Sequence, residues 1–234
     1  MNPPKFTFLL LTVICLPAAR AANIIDTIYG IGAGSFELPG HNGPTFLTYQ
    51  EGSMAINGWT VNTVNIDWVK DSVWNASDGH YSLDMNGTNL PNGTPSSPGG
   101  IQTVIPTTLG STYRVTFDIS GFVSAGNTSN PKTMDVTAGG VINSFSLSFI
   151  DPGPSVYTGA LVTPLSLSWS TRTFEFTATG SSSIVSFLST VSNGDGSAML
   201  LDNVVIEAVP EPSSLVLLAG AALGFTMRRR RVGI

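Results

Sequence analysis

The stretch TYRVTFDIS, residues 112–120, alternates polar and apolar side chains at every position. Successive side chains of an extended chain point to opposite sides, so its four apolar members share one face. The stretch therefore predicts a β-strand with one buried face and one face toward water. The side chains expected on the buried face are Tyr113, Val115, Phe117 and Ile119.

The same period of two recurs along residues 22–208. Further alternating runs contain Val64, Ile66 and Trp68; Tyr81, Leu83 and Met85; Met134 and Val136; Phe145, Leu147 and Phe149; Phe174 and Phe176; and Val185 and Phe187. Asn-Gly and similar turn pairs separate these runs, and no stretch of ten or more residues there carries a helical stripe. Many short alternating strands without helices predict an all-β sandwich or barrel in one domain. Residues 88–100, rich in Pro, Gly and Ser, are interpreted as a loop within it.

The N-terminus has the composition of a secretory signal peptide. Lys5 precedes an apolar run over residues 6–16, and Ala19 and Ala21 form an A-x-A cleavage site. We therefore predict that residues 1–21 form a signal helix that is removed after Ala21. The one cysteine, Cys15, lies in this segment, so the mature chain has no disulfide, thiol nucleophile or zinc-thiolate site.

The C-terminal residues 209–234 combine Pro-Glu-Pro, a short apolar run and a block of arginines. Residues 215–227 are uncharged and would span about 20 Å as a helix, against a hydrocarbon core of about 30 Å. The arginines that follow resist translocation and would stay in the cytoplasm. Two interpretations are open: a tail that stays in the membrane only until it is processed, or a plain C-terminal anchor. The residues concerned are Pro210, Glu211, Pro212, Arg228, Arg229, Arg230 and Arg231.

This tail resembles the PEP-CTERM sorting signal of Gram-negative bacteria, with its three parts in the same order. The resemblance implies that an exosortase, a membrane protease-transpeptidase, cuts near Pro-Glu-Pro and releases or re-anchors the protein at the cell surface. It also implies a transient contact with the inner membrane through the tail. The expected location is therefore the cell envelope, the cell surface or the medium.

Residues 22–208 carry four basic and fourteen acidic side chains, a formal net charge of −10. Neutralising the phosphates of a nucleic acid requires a basic surface, so nucleic acid is excluded as a partner. Polyanions would be repelled unless divalent cations bridge them. The length suffices for one well-buried domain, with about 70% of the unfolded surface removed from water.

The succession of motifs in residues 22–208 resembles the choice-of-anchor C family. In chain order the motifs are SFELPG, INGWTV, VNIDWV, HYSLDMNG, GGIQTVIPTTLGSTYRVTFDISG, WSTRTFEFTATG and MLLDNVVI. The resemblance implies an exported domain related to a domain of unknown function in plant cell-wall proteins. It also implies a galactose-binding-like jelly-roll β-sandwich, a fold that includes carbohydrate-binding modules. Two features depart from the family pattern: Ala33, Gly34 and Ser35 replace the usual Asn-Gly, and the cysteines of the plant relatives are absent.

The sequence offers little for catalysis. It has no G-x-S-x-G motif, and its two histidines, His41 and His80, are expected to be surface hydrogen-bonding residues. Paired carboxylates hydrolyse glycosides when they stand about 5–10 Å apart across a cleft. Four carboxylates close together in the sequence are instead interpreted as solvated: Asp67, which should point away from the buried face, Asp71, Asp78 and Asp84. We therefore predict that the protein is not an enzyme.

Asp202 interrupts an apolar strand over residues 199–206, where an unpaired carboxylate would be costly. In the carbohydrate-binding relatives, a glutamate of the N-terminal Phe-Glu and an aspartate of a C-terminal Leu-Asp motif hold a structural calcium. The resemblance therefore implies that Glu37 and Asp202 bind Ca²⁺ together with backbone carbonyls, the hard oxygen ligands that this ion prefers. The alternative, equally open, is that Asp202 accepts hydrogen bonds from a backbone amide or an arginine.

Of the four tryptophans, Trp74 lies in a turn-rich polar stretch and is the candidate for stacking on a sugar face. The alternative is a role in the core or as an anchor for its loop. Trp59, Trp68 and Trp169 lie in strand-like contexts and are expected in the core or at its rim.

The sequence thus predicts an exported β-sandwich that binds or organises extracellular polysaccharide without catalysis. A structural matrix protein that binds no sugar is the alternative, and a glycoside hydrolase is the third hypothesis.

Overall fold

The computed structural model describes residues 22–88, 98–122, 131–148, 165–191 and 198–210 of the chain. These ranges contain α1 Ile24–Tyr29, β1 Phe46–Gln50, β2 Thr60–Thr63, β3 Asn65–Lys70, β4 Tyr81–Asp84, β5 Gly100–Pro106, β6 Thr112–Phe122, β7 Lys132–Ala138, β8 Val141–Leu147, β9 Ser170–Thr177, β10 Ser182–Ser189 and β11 Ala198–Ala208. The predicted cleavage residues Ala19 and Ala21 lie outside the described residues, as do the sorting residues Glu211, Pro212, Arg228, Arg229, Arg230 and Arg231.

The strands form two sheets that pack face to face. Sheet A has six strands in the order β1-β3-β4-β11-β6-β9, and sheet B has five in the order β2-β5-β10-β7-β8. Every strand pair in both sheets is antiparallel. The predicted all-β jelly-roll sandwich is confirmed.

The stretch that predicted a strand lies in the second strand from one edge of sheet A. Residues 112–120 fall in β6, which pairs with β11 on one side and with β9 on the other. Its alternate side chains Tyr113, Val115, Phe117 and Ile119 are at most 5% exposed and belong to the core between the sheets. On the other side, Thr116 and Thr173 share a hydroxyl contact of 3.1 Å at the surface. The period-two pattern therefore gave the correct face.

The outer face of sheet A carries a second, smaller core. Val69, Trp74 and Leu200 are buried together there, and the partly buried side chains packed against them are Val73, Leu165, Leu167 and Trp169. Two connections, after β3 and before β9, supply this cover. This cover buries Val69 of β3. Thr48 and Thr88 contact the outward side chains of Asp67 and Asn65. Five of the six residues of β3 are therefore buried, and their exposure does not alternate as it would in a strand with one face toward water.

Asn23 joins the start of the described chain to its last strand. Its side-chain oxygen accepts a hydrogen bond from the amide of Ile206 at 3.0 Å, and its side-chain nitrogen donates to the carbonyl of Val204 at 3.0 Å. The same oxygen caps α1 by accepting from the amide of Ile25 at 3.3 Å. The helix has six residues, too few to show a stripe in the sequence.

β11 contains an irregularity that orients its buried aspartate. The register with β6 shifts between Asp202 and Val205, and Asn203 has a φ of 50°. A bulge of this kind re-aims the side chains beside it. Asp202 stays opposite Asp118 of β6 and points to the outer side of the sheet, under the connection that follows β3.

Candidate functional site

The carboxylate of Asp202 is fully buried and binds backbone amides. Its Oδ2 accepts hydrogen bonds from the amides of Ser77 at 2.7 Å and Asp78 at 3.0 Å. Its Oδ1 accepts from the amide of Asn203 at 2.6 Å. Burial raises the pKa of Asp202 to about 8, although the three amide donors oppose that rise because they favour the charged form.

Glu37 binds the other end of the same segment, residues 77–81, which we call the 77–81 loop. Its Oε1 accepts hydrogen bonds from the amides of His80 and Tyr81, each at 2.9 Å. Between the two carboxylates stands Gly79, with a φ of 70°. A Cβ atom at that position would lie 2.4 Å from the Cδ of Glu37. Glycine is therefore required by both the backbone conformation and the approach of the glutamate.

The structure thus brings the two predicted calcium ligands to one loop, but their partners do not suit a cation. A calcium shell is built from oxygen atoms. The two carboxylates receive N–H groups from the loop, whereas backbone carbonyls were expected beside them. The described part of the chain holds no group of three or more His, Cys, Asp or Glu able to bind a metal. The contacts match the hydrogen-bonded alternative, and calcium binding stays a prediction.

Trp74 does not offer a face to a sugar. Its side chain is 7% exposed and packs against Val69 and Leu200 in the outer core of sheet A. Its indole Nε1 donates to the hydroxyl of Ser82 at 2.8 Å. A stacking platform needs one open ring face, so the assignment of Trp74 to ligand binding is corrected: it anchors its loop to the sheet.

Asp118 completes the attachment of the 77–81 loop to sheet A. Its carboxylate accepts hydrogen bonds from the hydroxyl of Ser77, from the hydroxyl of Thr171 at 2.6 Å and from the side-chain amide of Asn203 at 3.0 Å. It is 6% exposed. Asp118 was not singled out from the sequence, because its three partners are 41 or more positions away along the chain.

Asp67 and Asp84 are buried, contrary to the expectation of solvated carboxylates. Asp67 does point away from the main core as predicted, but its carboxylate accepts from the hydroxyls of Thr48 and Thr88, each at 2.6 Å. Asp84 accepts from the amide of Asn86 at 2.8 Å. Burial raises the pKa of both carboxyls, that of Asp84 to about 8 with the neighbouring charge of Asp67 as the second cause.

The two histidines lie on either side of Tyr81 and differ in exposure. The His41 ring packs 4.9 Å from that of Trp68 and 5.1 Å from that of Tyr81, and burial lowers its pKa. The prediction of a surface hydrogen-bonding residue is therefore wrong for His41. His80 is exposed, and its Nδ1 lies 2.6 Å from Oδ2 of Asp71, a hydrogen bond that raises its pKa.

The outer face of sheet B carries side chains that stay partly or fully exposed in the described chain. A row of partly exposed, uncharged polar side chains crosses four adjacent strands at paired positions: Thr60, Gln102, Ser186 and Thr137. The side-chain amide of Asn62 donates to Oε1 of Gln102 at 3.2 Å beside this row. Two exposed aliphatic side chains, Val104 and Ile184, pair across β5 and β10 next to it.

Sequence comparison identifies the family. The sequence model of a family described as "Protein of unknown function (DUF642)" matches residues 30–207, which is more than half of the chain. The chain belongs to the DUF642 family. A second model, the PEP-CTERM protein-sorting motif, follows the DUF642 domain at residues 208–231. Membership of the choice-of-anchor C family stays a prediction.

The PEP-CTERM motif indicates that this DUF642 protein is exported to the cell envelope or surface and is processed by an exosortase. Pro210 is the only residue of the Pro-Glu-Pro that lies in the described part of the chain. Within that part, no helix combines the length and the apolar character needed to cross a membrane. No curated protein matches the sequence.

Several solved structures are similar to the DUF642 chain at low identity. The CBM22-1 xylan-binding domain of Xyn10C from Paenibacillus barcinonensis is 17% identical, covers 70% of this chain and 94% of its own, and has a TM-score of 0.40. TmCBM61 in complex with β-1,4-galactotriose is 14% identical, with coverages of 81% and 100% and a TM-score of 0.39. The EclA C-terminal domain, a sugar-binding protein, is 19% identical over 45% of this chain, with a TM-score of 0.32, and the chain spans 64% of its length.

Proposed function

We propose that the domain is a non-catalytic module of a Gram-negative cell surface or extracellular matrix that binds or organises extracellular polysaccharide. The observation that carries this proposal is the row of Thr60, Gln102, Ser186 and Thr137 on the outer face of sheet B. Their hydroxyl and amide groups can both donate to and accept from sugar hydroxyls. The aliphatic pair Val104 and Ile184 beside the row suits the C–H faces of sugar rings.

The charge distribution favours a neutral polysaccharide. Residues 22–208 have a net charge of −10, which repels acidic polymers at long range. The row itself carries no charge, and the nearby carboxylate of Asp135 already accepts a hydrogen bond from the hydroxyl of Ser144. The proposed ligand is therefore an uncharged chain that lies across the strands of sheet B.

A glycan array probed with the mature protein tests this proposal. We expect binding to neutral rather than acidic glycans, and a loss of about tenfold in affinity, equal to about 1.4 kcal/mol, for the double variant Gln102→Ala/Ser186→Ala. The matched control is Thr116→Ala/Thr173→Ala, which removes a hydroxyl pair from the exposed face of sheet A. An array without any binding would favour a structural matrix protein, and release of new reducing ends would favour a hydrolase.

We further propose that the tail makes a transient contact with the inner membrane before processing. The support is the order of Pro-Glu-Pro, apolar run and arginines in the sequence. An epitope placed after Arg231 should be absent from the mature surface protein. Substitution of Pro210, Glu211 and Pro212 by alanine should retain the full-length form in the inner membrane. Persistence of the full-length protein in cells with an active exosortase would contradict this.

A further inference from the structure

The point where the tail leaves the domain is well defined. β11 ends at Ala208, and the amide of Val209 still donates to the carbonyl of Thr112 at 2.9 Å. The predicted apolar run begins at residue 215, so only residues 210–214 separate it from the sandwich. Five extended residues reach at most about 18 Å. A tail inserted in a membrane therefore holds this end of the domain close to the lipid surface.

Three connections form the same end of the sandwich, and we call them the tail-end loops: residues 107–111, 139–140 and 178–181. The amide of Gly110 donates to the carbonyl of Ala178 at 2.8 Å, and that of Thr107 to the carbonyl of Ser181 at 2.9 Å. Gly139 packs against Phe176, since a Cβ there would lie 2.7 Å from that ring. The loops thus lie at the same end of the sandwich as Val209.

The tail-end loops and their flanks are free of charge in an acidic domain. Residues 104–113, 137–143 and 176–184 contain no Asp, Glu, Lys, Arg or His. The nearest charged side chains of the described strands pair with one another: Arg114 lies 2.8 Å from Glu175 and 3.3 Å from Glu207. The tail-end loops themselves can therefore approach anionic lipid headgroups with less repulsion than the acidic parts of the surface would meet.

The same end exposes aliphatic side chains. Leu109 is 71% exposed at the tip of its loop, and Val141 and Ile142 are 49% and 66% exposed directly after the Gly139-Gly140 turn. The two aromatic side chains within residues 104–113 and 176–184, Tyr113 and Phe176, are buried. Uncharged loops with projecting aliphatic tips are suited to the boundary between headgroups and acyl chains.

We propose that, while the tail is inserted, the tail-end loops rest on the surface of the same phospholipid bilayer, with Leu109 and Val141 in its interfacial region. This contact orients the domain with its strands directed away from the membrane and presents Pro-Glu-Pro at the lipid surface. The proposal rests on the proposed membrane contact of the tail.

Single-cysteine labelling tests the contact, because the chain from Ala22 onward contains no cysteine. Leu109→Cys and Val141→Cys, made in the chain with its tail intact, are labelled with an environment-sensitive fluorophore and reconstituted into vesicles of phosphatidylethanolamine and phosphatidylglycerol. The matched control is Met54→Cys. Met54 is 74% exposed and follows β1, which runs antiparallel to β11, at the opposite end of the sandwich.

We expect a blue shift on reconstitution, and quenching by lipid-bound quenchers, at positions 109 and 141 but not at position 54. Flotation with the vesicles reports tail insertion separately. If the chain floats but all three labels behave alike, the loop contact is overturned and the tail proposal stands. If the chain does not float, both are overturned. A blue shift at position 109 before vesicles are added would indicate self-association through this end and would also overturn the contact.

Discussion

Asp84 lies directly opposite Asp67 on the neighbouring strand, and both residues are less than 8% exposed. Two like charges facing each other across a strand pair destabilise the sheet, and their burial adds a desolvation cost. The folded domain therefore favours the protonated form of this pair. This relationship makes the stability of the domain depend on pH.

We predict that the domain loses stability as the pH rises from about 4 to about 8. The pKa of Asp84 is raised from 3.8 to about 8 in the folded state. Over that window the unfolded chain has released the proton while the folded chain retains it, so a rising pH favours unfolding. Asp84→Asn should raise the free energy of unfolding at pH 8 by more than about 1 kcal/mol and leave it nearly unchanged at pH 4.

Urea unfolding at pH 4 and pH 8 measures this effect, with Glu51→Gln as the control at an exposed carboxylate. Part of the pH dependence should persist in Asp84→Asn, because the pKa of Asp202 is raised in the same direction. Equal stability of the unmodified domain at both pH values would show that the buried pair does not hold a proton.

Gly79 of the 77–81 loop should be harder to replace by alanine than Gly52, which also has a positive φ. An alanine at positive φ costs about 1–2 kcal/mol, and at Gly79 its Cβ would also meet the carboxyl of Glu37. Gly52 has a φ of 87° with nothing within 4 Å of an added Cβ, so Gly52→Ala measures the backbone cost alone. We expect Gly79→Ala to be clearly more destabilising in thermal unfolding.

A double-mutant cycle separates the contact from the backbone strain. In a Glu37→Ala background, the cost of Gly79→Ala should fall toward that of Gly52→Ala. An unchanged cost would mean that the glutamate does not restrict this position.

The amide contacts of Glu37 and Asp202 predict that neither carboxylate needs a metal. Asp202→Asn should lower the free energy of unfolding by about 1–3 kcal/mol, because both oxygens of Asp202 accept amide hydrogen bonds and the new NH₂ group would face one of these donors. Glu37→Gln should cost less, because both amides bind Oε1 of Glu37 and the amide oxygen of a glutamine can still accept from them. The melting temperature of the unmodified domain should be the same in calcium and in chelator. A melting temperature that falls with chelator, and no longer does so in both variants, would establish the calcium site instead.

Trp74 is expected to matter for stability rather than for binding. Trp74→Ala should cost about 3–5 kcal/mol through the cavity left above Val69 and Leu200. Trp74→Phe keeps most of the volume and should lose mainly the hydrogen bond to Ser82, about 1 kcal/mol. Ser82→Ala removes the same hydrogen bond from the acceptor side and is the matched control. If Trp74→Phe lost glycan binding while circular dichroism showed an intact fold, Trp74 would belong to a ligand site.

The sequence predicted which residues form strands, but it did not predict which other residues cover these strands. Ile66 and Trp68 were correctly assigned to a buried face, whereas Val64, placed in the same run, lies just before β3 with a φ of 43°. The outward direction of Asp67 was also correct. Its burial was not foreseen, because the side chains around it come from other parts of the chain, such as Thr48 and Thr88.

What the sequence determined by itself is local: the period of two along residues 112–120, the turn pairs and the composition of the two ends. These are properties of neighbouring residues, and neighbouring residues alone set which side chains share a face of a strand. Only the tertiary structure decided that Glu37 and Asp202, 165 positions apart, hold one loop, that Trp74 is an anchor and that the tail leaves beside uncharged loops. Burial and hydrogen-bond partners depend on strands that meet across the whole chain, and no short stretch of sequence contains that information.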